Sequence, residues 1–110
     1  MWEFETVLSE VILRTPSIKS FRFPIIAKGV RYRSGQFFFV TIKINASEAI
    51  HHFSFSSSPT EKGYLEFTKR ITSSDFSQAL ATIRPGAWAR LRGPEGSFIF
   101  PYFYYQSKAV

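Results

Sequence analysis

The densest run of chemistry-bearing side chains in this 110-residue chain is His51-His52-Phe53-Ser54-Phe55-Ser56-Ser57-Ser58-Pro59. Imidazoles can carry a positive charge, aromatic rings can stack on a planar ligand, and hydroxyls can orient its polar edge. On an extended chain, period 2 sends His51 and Phe53 to one face and His52 and Ser54 to the other. His51 can then meet an anion or form half of a solvated strand-edge pair. Phe53 can be a ligand platform or core filling, the use most of the 13 phenylalanines must have. The serine run reads equally as a site or a polar turn. Charge is offered nearby by Lys69 and Arg70, which are anion ligands or a solvent-exposed strand end. A third place is the start of a helix, where the unpaired amides of Asp75, Phe76 and Ser77 can hold an anion without a metal or a glycine-rich loop. Its plain alternative is a capped helix with no ligand. There is no cysteine and no suitably spaced carboxylate beside the histidines, so no metal site is expected.

The elements that must position these groups are short β patterns separated by turn signals. Residues 2 to 13 and 18 to 23 read as two strands turned by Thr15-Pro16-Ser17. After Ser34-Gly35, residues 36 to 44 alternate, with Phe38, Val40, Ile42 and Ile44 on one face and Phe37, Phe39, Thr41 and Lys43 on the other. Further strands fit Ile50 to Phe55, Tyr64 to Arg70 and Ala87 to Arg92, which makes six. One helix is expected, because Phe76, Ala79, Leu80 and Ile83 recur at i, i+3, i+4 and i+7. Ser74 or Asp75 can cap it, Arg84 suits its C-terminal end, and Pro85-Gly86 stops it.

The length suits one domain that buries its own core, and the lack of cysteine makes a reducing cytoplasm the simplest setting. No stretch approaches the ~20 apolar residues of a membrane helix, so no membrane partner is expected. Fourteen Lys and Arg against eight Asp and Glu leave +6, which suits a phosphate-bearing ligand, an acidic protein or nucleic acid. Charge alone does not choose among them.

The segment His51-x-Phe53-Ser54, followed by Ser57-Ser58-Pro59, resembles the flavin motif of the ferredoxin reductase family, in which Arg-x-Tyr-Ser ends a barrel strand before a Ser-Ser-Pro turn. Three more segments resemble the same family in the same order. Ser34-Gly35-Gln36-Phe37 is similar to its Pro-Gly-Gln-Phe turn. Leu65 to Arg70 and Ser74 to Leu80 are similar to its strand and phosphate-binding helix, with Ser77 at the family's serine. Arg84-Pro85-Gly86 and Gly93-Pro94-Glu95-Gly96-Ser97-Phe98 are similar to its Pro-Gly turn and closing segment.

That resemblance implies an all-β fold, a six-stranded antiparallel Greek-key barrel with one short helix, holding FAD or less often FMN. It implies a flavin-binding barrel over residues 1–100 and a linker over 101–110, including Tyr102, Tyr104 and Tyr105, toward an NAD(P)-binding domain absent from this chain. By the same resemblance Ser54 lies beside flavin N5, Phe53 packs on the isoalloxazine or ribityl, and His51 with Lys69 or Arg70 meets phosphate. The amides of Asp75, Phe76 and Ser77 take the pyrophosphate. No residue is assigned as acid, base or nucleophile, because the flavin carries the chemistry. The barrel alone supplies the flavin half of an NAD(P)H oxidoreductase, with an acidic electron-acceptor protein as a further partner. Two other readings are a single-stranded nucleic-acid binder and a flavin-free protein-interaction module. The first requires aromatic and basic side chains together on one sheet face, whereas the basic residues are scattered from Arg14 to Lys108.

Overall fold

In β1 (Trp2–Val7) strict alternation buries Trp2, Phe4 and Thr6 and leaves Glu3, Glu5 and Val7 outside. The computed structural model describes residues 1–96, in which β1 is followed by β2 (Glu10–Thr15), β3 (Ile18–Pro24), β4 (Phe37–Ile44), β5 (Ser47–Ser54), β6 (Tyr64–Arg70), α1 (Asp75–Thr82) and β7 (Trp88–Glu95). The readings of Ser97, Phe98 and the 101–110 linker, with its three tyrosines, lie outside the described residues. All pairings are antiparallel, and the strands form a four-stranded sheet, β1-β7-β4-β5, and a three-stranded sheet, β2-β3-β6.

The class is all-β as expected, but the described residues form seven strands in two sheets and not one closed six-stranded barrel. The strand expected over residues 2 to 13 breaks at Leu8-Ser9. Leu8 still bonds across to β7's approach, its amide donating to Ala87 O at 2.8 Å, while the Ser9 amide donates to Arg22 O of β3 at 2.9 Å. The chain stays extended but changes sheets, so the inward parity resets. Closure fails at a second place, because no ladder joins β5 to β6 among the described residues. Between the sheets lie Phe21, Phe23, Phe38, Val40, Ile42, Leu65, Phe67 and Leu91, all buried. Gly93 on β7 lets the backbone pass Phe38, where an added Cβ would meet Phe38 Cβ at 2.9 Å.

The β4–β5 hairpin turns on Asn45 and Ala46, with φ of 50° and 68°. Two left-handed residues are the requirement of the tight turn that matches strand twist. The turn lengthens β5 to Ser47, three residues before the expected start. The helix plugs the sandwich with buried Phe76 and Leu80, Ala79 and Ile83 being half-buried. Its last turn holds no basic residue; Lys19 supplies the cation from β3, Nζ donating to Ala81 O at 3.1 Å.

Candidate functional site

The open seam between β5 and β6, with α1 beside it, gathers most of the sequence-derived site residues. Register pairs His51 with Val40 and Phe53 with Phe38, so both face inward across the seam. His51 is exposed, and its ring lies 4.2 Å from that of Phe76 at the start of α1. Phe53 is half-buried, with its ring 4.0 Å from Phe67 and 5.8 Å from Phe76. It is part of the core margin as well as a wall of the seam.

At the helix start Ser74 is the N-cap, its Oγ accepting from the Ser77 amide at 3.2 Å. That leaves the amides of Asp75 and Phe76 as the donors without a helical acceptor. The Ser77 hydroxyl is fully buried and accepts from Thr72 Oγ1 at 3.1 Å, so it braces the turn from within. Asp75 supplies a carboxylate in the first turn.

Lys69 and Arg70 part company. Period 2 puts Lys69 on the inner face with Leu65 and Phe67, half-buried and without an ion pair among the described residues. Arg70 points to the other face, where its Nη1 donates to Ser17 Oγ at 3.3 Å. Of the sequence-derived basic side chains, His51 and Lys69 therefore face inward, as does Lys19, the cross-strand partner of Lys69.

The outer face of β5 has a different character. Ser54 is exposed opposite Phe37, and His52 lies over Phe37 and Phe39 with ring separations of 5.1 and 5.9 Å. Arg92 covers Phe39 at 4.4 Å, and Arg90 lies 5.0 Å from the Trp88 ring. The nucleic-acid alternative needs free cations on such a face. Here Arg90 is paired with Glu48 at 3.1 Å and Glu3 at 4.0 Å, and Arg92 with Glu95 at 3.5 Å.

Sequence reasoning did not find Glu66, a carboxylate only 5% exposed on β6. Its hydrogen bond raises the Arg22 guanidinium above its usual range. Nor did it find Tyr32, which stacks on Phe55 at 3.8 Å and whose hydroxyl lies 2.8 Å from both Ser57 Oγ and Ser58 O. Burial pushes this phenol up. The serine run is thus a clasp: Ser57 is buried, and the Ser58 amide donates to Glu61 Oε1 at 2.8 Å. An open groove of 620 Å³ lies along Val30 to Gln36, Pro59 and Pro94, with no wall from α1. Among the described residues no acidic or histidine cluster could hold a metal, and no helix is long and apolar enough to cross a membrane.

The sequence profile of a family described as the oxidoreductase FAD-binding domain matches residues 5–100. No curated protein matches the chain. Solved structures share its fold. A ferredoxin NADP+ reductase from Neisseria gonorrhoeae with bound FAD and NADP is 19% identical, with a TM-score of 0.77 over 90% of this chain and 40% of that one. The ferredoxin reductase in carbazole 1,9a-dioxygenase is 23% identical, with a TM-score of 0.78 over 91% of this chain and 31% of that one. The cytochrome b5 reductase domain of Ulva prolifera nitrate reductase is 17% identical, with a TM-score of 0.72 over 86% and 40%. The chain thus spans less than half the length of these structures.

Proposed function

This chain belongs to the oxidoreductase FAD-binding domain family, and from that membership we propose that FAD lies along the β5–β6 seam with its pyrophosphate at the start of α1. The carrying observation is that the exposed His51 ring lies 4.2 Å from Phe76 at the start of α1, where the amides of Asp75 and Phe76 have no helical acceptor, while Lys69 is on the inner face of β6 across the seam. Charge and donors of this kind fit a diphosphate. Phe53 offers a ring to the isoalloxazine or ribityl; Ser54 is on the outer face of β5 but at the strand end, so its hydroxyl meets N5 where the edge of the flavin passes round that end. Arg70, on the other face, would act on the phosphate only as distant charge, and Ser77 through its support of the turn.

When bound, the flavin supplies the hydride and electron transfer. The chain's own residues hold and orient it. In this reading residues 1–100 are the flavin-binding unit, and 101–110 lead toward a domain that brings NADH or NADPH. The net charge of +6 supports an acidic acceptor protein, and the absence of cysteine agrees with a reducing cytoplasm.

Titrating the purified apoprotein with FAD tests this reading. Flavin fluorescence should be quenched or its visible bands shifted at micromolar to sub-millimolar protein. An unchanged flavin beside a chain whose circular dichroism reports an intact fold would sink it.

A further inference from the structure

Glu66 points to the outer face of the three-stranded sheet, where a carboxylate ordinarily meets water, and is nevertheless buried. Its Oε1 accepts from Arg22 Nε at 2.7 Å, and its Oε2 accepts from the Ser56 hydroxyl at 2.8 Å, with Arg14 Nη2 3.6 Å away. Behind Ser56 the hydroxyls stand in line. Arg14 Nε donates to Ser20 Oγ at 3.0 Å, Ser20 and Thr68 are 2.6 Å apart, and Thr68 Oγ1 donates to Ser56 Oγ at 2.9 Å. An arginine can only donate and a carboxylate can only accept. Each hydroxyl between them therefore donates its one hydrogen bond onward, Ser20 to Thr68, Thr68 to Ser56 and Ser56 to Glu66, and the circuit closes on Arg14.

Apolar residues would hold a sheet as well as a buried ion pair does. What they could not do is reach across the seam with direction. Ser56 lies on the continuation of β5, whereas Glu66 and Thr68 lie on β6. The backbone reinforces the crossing, with Ser56 N donating to Glu66 O at 2.8 Å and Glu66 N to Ser57 Oγ at 3.2 Å. Two residues back from Ser56 is Ser54, three back is Phe53, and from there toward His51 no ladder joins the sheets among the described residues. The seam is clamped at one end and open at the other.

We infer that Glu66 is a positioning residue for the flavin: with Ser56 and Thr68 it fixes the closed end of the seam, and thereby where Phe53 and Ser54 stand along the ligand. This rests on the placement of FAD proposed above. E66Q keeps the shape and breaks the direction. With its amide oxygen turned to Arg22, its NH2 meets Ser56, whose oxygen then faces two donors while its own proton has no acceptor. S56A removes the side-chain part of the cross-seam link from an exposed position, leaving the Ser56 amide bond to Glu66 O in place, and S56T restores the hydroxyl.

Affinity for FAD, the visible circular dichroism of the bound flavin and apoprotein melting are read together. E66Q and S56A should each bind FAD about tenfold more weakly and alter the visible dichroism, with S56T returning both toward the original. If S56A binds as tightly as the unmodified chain with an unchanged spectrum, the positioning role is overturned. S56A also decides the matter if E66Q does not fold. An unmodified chain that binds no FAD would overturn the flavin reading itself, a result distinct from equal binding by the variants.

Discussion

On the inner face of β5, His51 and Phe53 lean on Phe76 and Phe67; one residue away on the outer face, His52 and Ser54 lie over Phe39 and Phe37 with water on their other side. The same residue type, histidine, occupies both faces in succession. Parity alone gives one of them a place beside a helix start and the other a place over a surface aromatic pair. If the comparison is right, substitutions on the two faces should differ in kind as well as in size.

The largest contrast should arise where the inner surface continues into α1. Ser77 is fully buried, so Ser77→Asp puts an uncompensated charge in the interior and should cost about 3–5 kcal/mol, unfolding much of the chain. Asp75, two residues earlier, is exposed. Asp75→Asn should cost at most about 1 kcal/mol of lost dipole interaction while tightening FAD, because it removes a negative charge from the phosphate end. Urea melts and FAD titrations of the two variants decide this. A well-folded Ser77→Asp chain would contradict the burial, and unchanged FAD affinity in Asp75→Asn would move the phosphate away from the helix start.

Next in size is the strand itself. Phe53→Ala removes a ring stacked on Phe67 and should destabilise by about 2–3 kcal/mol, below the full range for a buried phenylalanine because Phe53 is only half-buried. His52→Ala should stay within about 0.5 kcal/mol, since it deletes only a surface contact. Equal unfolding midpoints for the two variants would erase the distinction between faces.

How legible these faces are in the sequence depends on the range of the interactions that define them. The alternation of Phe38, Val40 and Ile42, the stripe Phe76-Leu80 and the shared face of His51 and Phe53 are local, and spacing reports them directly. The break at Leu8-Ser9 is silent, because a chain that changes sheets without a turn keeps its extended pattern. The turn at Asn45-Ala46 is masked by an alanine held at positive φ, where glycine is the usual signal. The Glu66 circuit draws Arg14, Ser20, Ser56 and Thr68 from β2, β3, the β5 continuation and β6, so no window of sequence contains it. Lys69 and Arg70 mark the boundary case: their shared position is legible, but only period 2 and a partner for Arg70 separate their directions.

The smallest effect is also the sharpest test of the two faces, because it compares one substitution at adjacent positions. A guanidinium keeps its positive charge throughout and presents a planar fork of donors that matches phosphate oxygens better than an imidazole does. His51→Arg should therefore tighten FAD by an amount of order 1 kcal/mol, as a solvent-accessible, charge-assisted contact does. His52→Arg should leave the affinity unchanged, since its side chain lies beside Phe39 on the other face. FAD dissociation constants for the three proteins at one pH and one salt concentration read the difference. Equal affinity for His51→Arg and the unmodified chain, or the same tightening by His52→Arg, would take His51 out of the phosphate site and leave Lys69 with the amides of Asp75 and Phe76 as its proposed ligands.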